Sequence, residues 1–308
     1  MFKKINATTY NELKSKYKWL RVNNSIEDYL EPQYYNHILK DYIFSGKSDL
    51  EVFRTFLKRN TNPKTALELG SGSGRVTDVF LNFRNYANWD CKLDILDLSK
   101  QMLSYCKNKY ADVNYIQYIN SDTFEFLSRC EKKYDLVYSL WSYSHSIHQI
   151  LPRLGDEKGR EYVAKTLKKF IKNNLTPNGK MFIIHFDTQS QEQSILIHQW
   201  KKLYKMFSDT KKQSPSLQIT LKALEELKQN KEISYSVKHL ISDGIVYQNE
   251  NEALETFLNF HMEFEFNDLE ILPQVIDELR NNFSNYRNEK GQIVIKTGCF
   301  VIEIQKSE

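Results

Sequence analysis

Three glycines at alternate positions, Gly70, Gly72 and Gly74, stand between an apolar run and a helical pattern, and that punctuation limits the folds open to this chain. Only 10 glycines occur in the 308 residues, about half the usual share, so the clustering is a local feature. Thr65 to Leu69 reads as a short buried strand and Arg75 to Leu81 as the opening of a helix. Between them, Gly70-Ser71-Gly72-Ser73-Gly74 provides positions without side chains, where the backbone turns tightly and a ligand can approach the main chain. The first N–H groups of the helix add donors for a polar or anionic group. The spacing is one residue shorter than the dinucleotide fingerprint Gly-x-Gly-x-x-Gly, and no Gly-Lys-Ser/Thr follows as in a phosphate-cradling loop.

A second strand, Leu93 to Asp97, is followed by a helix starting near Leu98 and Ser99. Asp97 falls at the carboxyl end of that strand. In a doubly wound sheet an acid there reaches the ribose hydroxyls of a nucleoside laid across the strand ends, since an ionised carboxylate accepts from both hydroxyls of a vicinal diol. Capping of the next helix is the competing role for Asp97. Asp94 lies inside the strand, farther from the edge.

Over about residues 60 to 187 the chain resembles the class I S-adenosylmethionine-dependent methyltransferases. The matching pieces are Leu67 to Arg75, Asp97-Leu98-Ser99 with Met102-Leu103, Ser121 to Phe124, Tyr134 to Tyr138, and Leu175 to Lys180 leading into Met181 to Ile184. The resemblance implies an α/β fold, a doubly wound, mostly parallel seven-stranded Rossmann-like sheet with S-adenosylmethionine as cofactor. It divides the chain into an N-terminal helical cap (1–60), a cofactor-binding core (61–187), a helical insertion and substrate cap (188–290) and a final strand (291–308), antiparallel at the end of the sheet. It assigns Glu68 to orienting the glycine turn, Gly70, Ser71, Gly72 and Gly74 to the methionine moiety, and Asp97 to the ribose. Leu98, Met102 and Ser139 fall beside the cofactor in the same resemblance, and Asp122 with Thr123 or Phe124 beside the adenine. For Asp122 the chemistry also stands alone: a carboxylate accepts from an exocyclic amine, and a neighbouring ring covers a base face. An ordinary turn aspartate is the competing role.

Composition is compatible with such an enzyme. The chain is 41% hydrophobic and 27% charged, enough to bury a sizeable core. No run of eighteen apolar residues appears and the first residues lack the apolar stretch of a signal peptide, so a cytoplasmic protein without a membrane partner is expected. Cys91, Cys106, Cys130 and Cys299 lack Cys-x-x-Cys spacing and read as reduced packing residues. The net charge of +4 is modest and its lysines and arginines are spread along the chain; the group Lys165, Lys168, Lys169 and Lys172 reads as a solvated helix face before it reads as a nucleic-acid footprint.

Aromatic residues interleave with charge in the first 60 positions, and Tyr34 or Tyr35 is the expected contact for the sulfonium or the substrate. After the strand around Asp135 to Tyr138 comes Ser139-Leu140-Trp141-Ser142-Tyr143-Ser144-His145-Ser146-Ile147-His148, dense in hydroxyls, rings and imidazoles. This is the candidate acceptor site, with Trp141 and Tyr143 lining it and His185, with Asp187, on its other edge. Methyl displacement needs a nucleophile aligned with the carbon–sulfur bond, and a base where the acceptor holds a proton; His145 or His148 is the candidate, since imidazole titrates near neutrality. His145-x-x-His148 lacks the glutamate of a zinc-protease helix, and no metal is expected.

Downstream, residues 195–207 and 217–224 read as helices, 233–247 as extended, 252–261 and 273–283 as helical, and 293–304 as one long strand. No Asn-Pro-Pro-Tyr follows the fourth strand, and none of the six prolines precedes a cysteine, which removes two DNA-methylating patterns. Methyl transfer to oxygen or nitrogen of a small molecule is therefore the expected activity. RNA or protein methylation and a non-catalytic S-adenosylmethionine-binding protein are the alternatives, and a nicotinamide dehydrogenase is disfavoured by the glycine spacing.

Overall fold

Strands and helices alternate through the computed structural model, which describes residues 2–22, 38–60, 62–207 and 213–308. A leading helix α1 (Ala7–Lys16) precedes a hairpin of β1 (Ile43–Phe44) and β2 (Lys47–Ser48), then α2 (Asp49–Leu57). Ser48 and Glu51 close a reciprocal cap at the start of α2. The regular part follows: β3 (Thr65–Leu69), α3 (Arg75–Tyr86), β4 (Lys92–Asp97), α4 (Lys100–Lys109), β5 (Ile116–Asn120), α5 (Thr123–Arg129), β6 (Tyr134–Leu140), α6 (Ser142–Leu154), α7 (Asp156–Asn174) and β7 (Leu175–Phe186). The chain continues through α8 (Gln191–Trp200), a 3-10 turn at Lys205–Phe207, α9 (Pro215–Gln229), β8 (Ile233–Ile241), β9 (Ile245–Tyr247), α10 (Glu250–Glu255), a π-helical turn at Thr256–His261, α11 (Leu272–Ser284), β10 (Ile293–Ile295) and β11 (Gly298–Lys306).

Seven strands form one sheet in the order β5-β4-β3-β6-β7-β11-β8. The five from β3 to β7 are parallel, and β11 runs antiparallel between β7 and β8. The expected fold class is therefore the observed one. Strand order reverses between β3 and β6, and in open sheets of this kind a crevice forms outside the carboxyl ends of the strands at that reversal.

Alternation along the strands divides the interior into two apolar layers. Ala66, Leu136, Tyr138 and Phe182 face α2 and α3; Leu67, Val137, Met181 and Ile183 face the layer of α5, α6, α7 and α9. Phe53 of α2 sits 4.8 Å from Tyr138 and 5.4 Å from Phe182, ring centroid to ring centroid. The end of the N-terminal segment is thus a wall of the sheet's own core.

The C-terminal half departs from expectation in three respects. Residues 188–290 include β8, an edge strand paired along its length with β11, so Ile233–Ile241 completes the sheet. The helices around it divide: α9 packs in the layer of α7, while α8 and α11 lie in the layer of α2 and α3. The final strand, expected at the end of the sheet and continuous over 293–304, is interior and broken at Lys296 and Thr297. Its first part pairs with β9, and Thr297 donates its N–H to Ser242 and its hydroxyl to Glu192. Periodicity alone does not reveal that two residues leave the ladder to satisfy buried acceptors elsewhere. Among the described residues, no helix is long and apolar enough to cross a membrane.

Phe53 is fully buried between strand rings. Phe53→Ala is expected to cost about 3–5 kcal/mol, read as a lowered denaturation midpoint with an unchanged slope; a loss under about 1 kcal/mol would show that α2 is not part of the folding core.

Candidate active site

The glycine turn is built by backbone hydrogen bonds to the neighbouring strand. The N–H groups of Gly70 and Ser71 both reach the Leu96 carbonyl, at 2.8 and 3.0 Å, which fixes the turn over the end of β4. Gly70 has a φ of 78°, and a Cβ added there would lie 1.9 Å from Ser142 Oγ. Only glycine lets β3 end so close to the start of α6. At Gly72, φ is 49° and an added Cβ meets nothing within 4 Å, because the position faces open space.

That space is a cavity of about 580 Å³. Gly70, Ser71, Gly72, Asp97, Leu98, Met102, Asp122 and Thr123 line one end of it. Asp97 accepts the Gly72 N–H at 2.7 Å and the Ser99 N–H at 2.8 Å, one on each oxygen, so the acid at the end of β4 ties the glycine turn to the turn that follows β4. Burial raises the Asp97 pKa, opposed by those backbone donors. Asp122 caps α5 through Oδ1, at 2.9 Å from the Glu125 N–H, while its side chain also lines the cavity. Asp122, for which an ordinary turn role was the alternative, is thus both a helix cap and a lining residue. Ser71 Oγ is buried without a hydrogen-bond partner. A vacant donor–acceptor, an open Cβ position and a carboxylate at a strand end together fit the methionine and ribose portions of an adenosyl sulfonium.

Several expected contacts are structural instead. Glu68 is buried under α3, accepting from the hydroxyls of Thr77 at 2.7 Å and Tyr138 at 3.2 Å, and does not bond the glycine turn. Its other oxygen has no partner, and burial pushes its pKa up to about 8. Gly74 lies outside the cavity lining, its carbonyl accepting from Tyr110 at 2.7 Å. Phe124 is fully buried against Tyr143, with ring centroids 5.6 Å apart, so neither ring lines the cavity and Thr123 takes the position expected of Phe124. Ser139 is buried and donates to the Leu69 carbonyl at 2.8 Å. His185 is fully buried, its Nδ1 donating to the Phe186 carbonyl at 2.8 Å and its Nε2 accepting from Ser216 at 3.0 Å; burial lowers its pKa to about 4. Asp187 accepts from Gln213 and pairs with His239, away from the cavity lining. For Glu68, Ser139 and His185 the strand alternation turns the side chain into a layer, and Phe124 enters one from α5, consequences that spacing near a motif does not reveal. Tyr34 and Tyr35 lie outside the described residues.

Trp141, His145 and His148 do line the cavity. Trp141 adopts a left-handed φ of 69°, donates its indole N–H to Asp49 at 2.7 Å and packs 4.9 Å from Phe186. Asp49 is fully buried and also holds the Arg75 guanidinium in a two-pronged ion pair. His145 is exposed, its ring edge on Phe186. His148 is half-buried, its Nε2 lacks a partner, and burial lowers its pKa to about 3.

Much of the remaining lining comes from the segment 188–290, read from sequence as a helical substrate cap but with none of these residues named for a site. Leu196, Trp200, Tyr204, Phe207 and Phe260 make an aromatic and aliphatic wall, and Tyr42, His261, Glu263 and Glu265 complete it. An apolar helical stripe looks the same whether it covers a core or a cavity, which is why Trp200 and Phe207 carried no functional signal. Glu192 and His261 come together only in three dimensions. Among the described residues, no three His, Cys, Asp or Glu side chains gather as metal ligands.

Residues 66–157 match the profile of a family described as a methyltransferase domain. No curated protein sequence matches the chain. Among solved structures, a candidate methyltransferase of Bacillus halodurans C-125 aligns with a TM-score of 0.50 at 12% identity, over 84% of this chain and 99% of that one, which shows a common fold. The plantazolicin methyltransferase BpumL, solved with S-adenosylhomocysteine, aligns at 0.47 and 13% identity over 98% of each chain. A candidate sarcosine dimethylglycine methyltransferase of Galdieria sulphuraria aligns at 0.46 and 14% identity over 90% of this chain and 98% of that one. The sheet order, the glycine turn and the match over residues 66–157 mark a methyltransferase domain on a Rossmann-like fold. The chain is an S-adenosylmethionine-dependent methyltransferase, with S-adenosylmethionine as its cofactor.

Two expectations follow. Gly70→Ala should lose about 2–5 kcal/mol, combining a left-handed backbone with overpacking on Ser142. Gly72→Ala should lose only about 1–2 kcal/mol but weaken S-adenosylhomocysteine binding; denaturation and calorimetry on both variants check the contrast, and equal stability losses would refute it. The raised pKa of Glu68 means that the folded chain holds a proton the unfolded chain releases above the ordinary value of 4.5, so stability declines as pH rises toward about 8. The slope from this group is at most about 1.4 kcal/mol per pH unit, and Glu68→Gln should remove it.

Proposed function

We propose that the enzyme transfers a methyl group to oxygen or nitrogen of a small acceptor with an apolar body. The observation that carries this reading is the two-ended character of a single cavity. Polar, nucleoside-fitting residues occupy the end at Gly72, Asp97 and Asp122, and a ring-rich wall of Trp200, Tyr204, Phe207 and Phe260 occupies the other. A volume of about 580 Å³ suits a nucleoside donor and a small molecule side by side. Reaction within it gains chiefly from alignment, since displacement requires the acceptor atom in line with the bond being broken.

The lining also weighs against RNA. A phosphate backbone would call for several free cations, whereas the cationic side chain on the described lining, Arg75, is already held by Asp49, and Glu263 and Glu265 oppose an anion. The lining imidazoles His145, His148 and His261 are the candidate proton acceptors for the reaction.

Asp97→Ala tests the donor end. S-adenosylhomocysteine affinity should fall about 10–100-fold, the worth of one or two hydrogen bonds to a charged group, with the circular dichroism spectrum unchanged; unaltered affinity would take Asp97 out of the pocket. Incubation with methyl-labelled S-adenosylmethionine and a fractionated extract tests the acceptor end. Label is expected in the small-molecule fraction, and its recovery in RNA or protein, or no transfer despite cofactor binding, would overturn the reading.

A further inference from the structure

Across the cavity from the glycine turn, one imidazole has a buried carboxylate behind it. His261 ends the π-helical turn Thr256–His261, a wide turn that natural proteins place frequently at functional sites. Its side chain is 4% exposed and its Nε2 lies 3.5 Å from Glu192 Oε1 without forming a hydrogen bond. Glu192 is fully buried. Its Oε1 accepts from the Tyr42 hydroxyl at 2.6 Å, and its Oε2 from the Thr297 hydroxyl at 2.9 Å and the Gln193 amide at 3.2 Å. Three donors face the carboxylate, and none brings a positive charge. The missing counter-charge is what a protonated His261 would supply, the same logic by which a buried carboxylate stabilises a catalytic imidazolium. Burial keeps the resting ring below its ordinary pKa, with Glu192 pulling the other way. A neutral resting ring is free to take a proton.

Two residues farther on, the same wall turns acidic. Glu263 and Glu265 line the cavity, and no described residue gives either carboxylate a hydrogen bond or an ion pair. Glu263 and Phe264 both have left-handed φ angles, 49° and 63°, a strained pair of the kind that persists where the surroundings dictate it. Burial and the adjacent Glu263 raise the Glu265 pKa, as expected of like charges side by side without a cation.

Resting on the methyl-transfer reading above, we propose that the acceptor is an amine with an apolar body, drawn in as a cation by Glu263 and Glu265 and deprotonated by His261 with Glu192 behind it. An ammonium nitrogen has no lone pair for displacement. One proton passes from it to Nδ1 of His261, the atom left basic when Nε2–H faces Glu192. The freed lone pair then forms the nitrogen–carbon bond as the bond from methyl carbon to sulfur breaks, the bonding electrons remaining on sulfur as a neutral thioether. The methylated nitrogen carries the positive charge away, and the imidazolium returns its proton to solvent. The other lining imidazoles suit this task less well: His145 has only the edge contact to Phe186, and His148, held near a pKa of about 3, is a weak base.

The test uses the full chain with a set of aryl-alkyl primary amines and their isosteric alcohols, first for binding in the presence of S-adenosylhomocysteine and then for label transfer from S-adenosylmethionine. Amines should bind at least about tenfold more tightly than the alcohols, and the surface double variant Glu263→Gln, Glu265→Gln should erase that preference at unchanged melting temperature. Label should pass to the amine, with His261→Asn about 100-fold slower or more and Glu192→Gln between it and the parent, S-adenosylhomocysteine affinity being retained throughout. Equal binding of amines and alcohols, label on the alcohols alone or on neither, or a His261→Asn variant as fast as the parent would each overturn the proposal. A failure of the methyltransferase reading itself would appear differently, as loss of S-adenosylmethionine binding by the parent chain.

Discussion

The carboxylate of Asp49 joins three parts of the chain that the sheet alone does not hold together. It begins α2, binds the guanidinium of the first residue after the glycine turn, and accepts from the indole of the first residue after β6. A buried ion pair earns little net stability against desolvation, but removing one partner strands the other charge, commonly at a cost of about 3–5 kcal/mol. Its contribution here is geometric. Arg75 and Trp141 both line the cavity, and one anion fixes them relative to each other, which holds that part of the lining in a set geometry of the kind that alignment of reactants requires.

The first half of the chain was legible because its punctuation was local. The strand from Thr65 to Leu69 and the turn after it follow from an apolar run and three glycines, and the acids at 97 and 122 follow from their places at strand ends. Each of those side chains does face the cavity. The same reading misplaced Phe124, Ser139 and His185 because proximity to a motif says nothing about which face of a strand or helix a residue takes. His185 and Phe186 are adjacent, and the alternation sends only the second into the cavity lining.

The second half was harder for a different reason. Its helices are specified by apolar stripes, and a stripe does not tell whether the opposing surface is protein or ligand. Trp200 and Phe207 belong to a binding wall on the same periodicity that puts Leu217 and Leu224 into the core. Glu192 and His261 are 69 positions apart in sequence and meet through a π-helical turn and a break in the last strand, neither of which has a recognisable sequence signature.

The two walls of the cavity also differ in their freedom to change. The Trp141 indole is at once a lining surface and a rivet through Asp49, so reshaping that side would loosen the attachment of α2. The Trp200 side chain packs against the apolar cluster through its ring, 5.7 Å from Tyr204 and 5.5 Å from Phe266, and among the described residues none hydrogen-bonds its indole. New acceptor preferences can accordingly arise on the Trp200 side with little penalty to folding, while the Trp141 side stays put, and a lineage exploring other substrates would diversify one bank of the crevice and preserve the other.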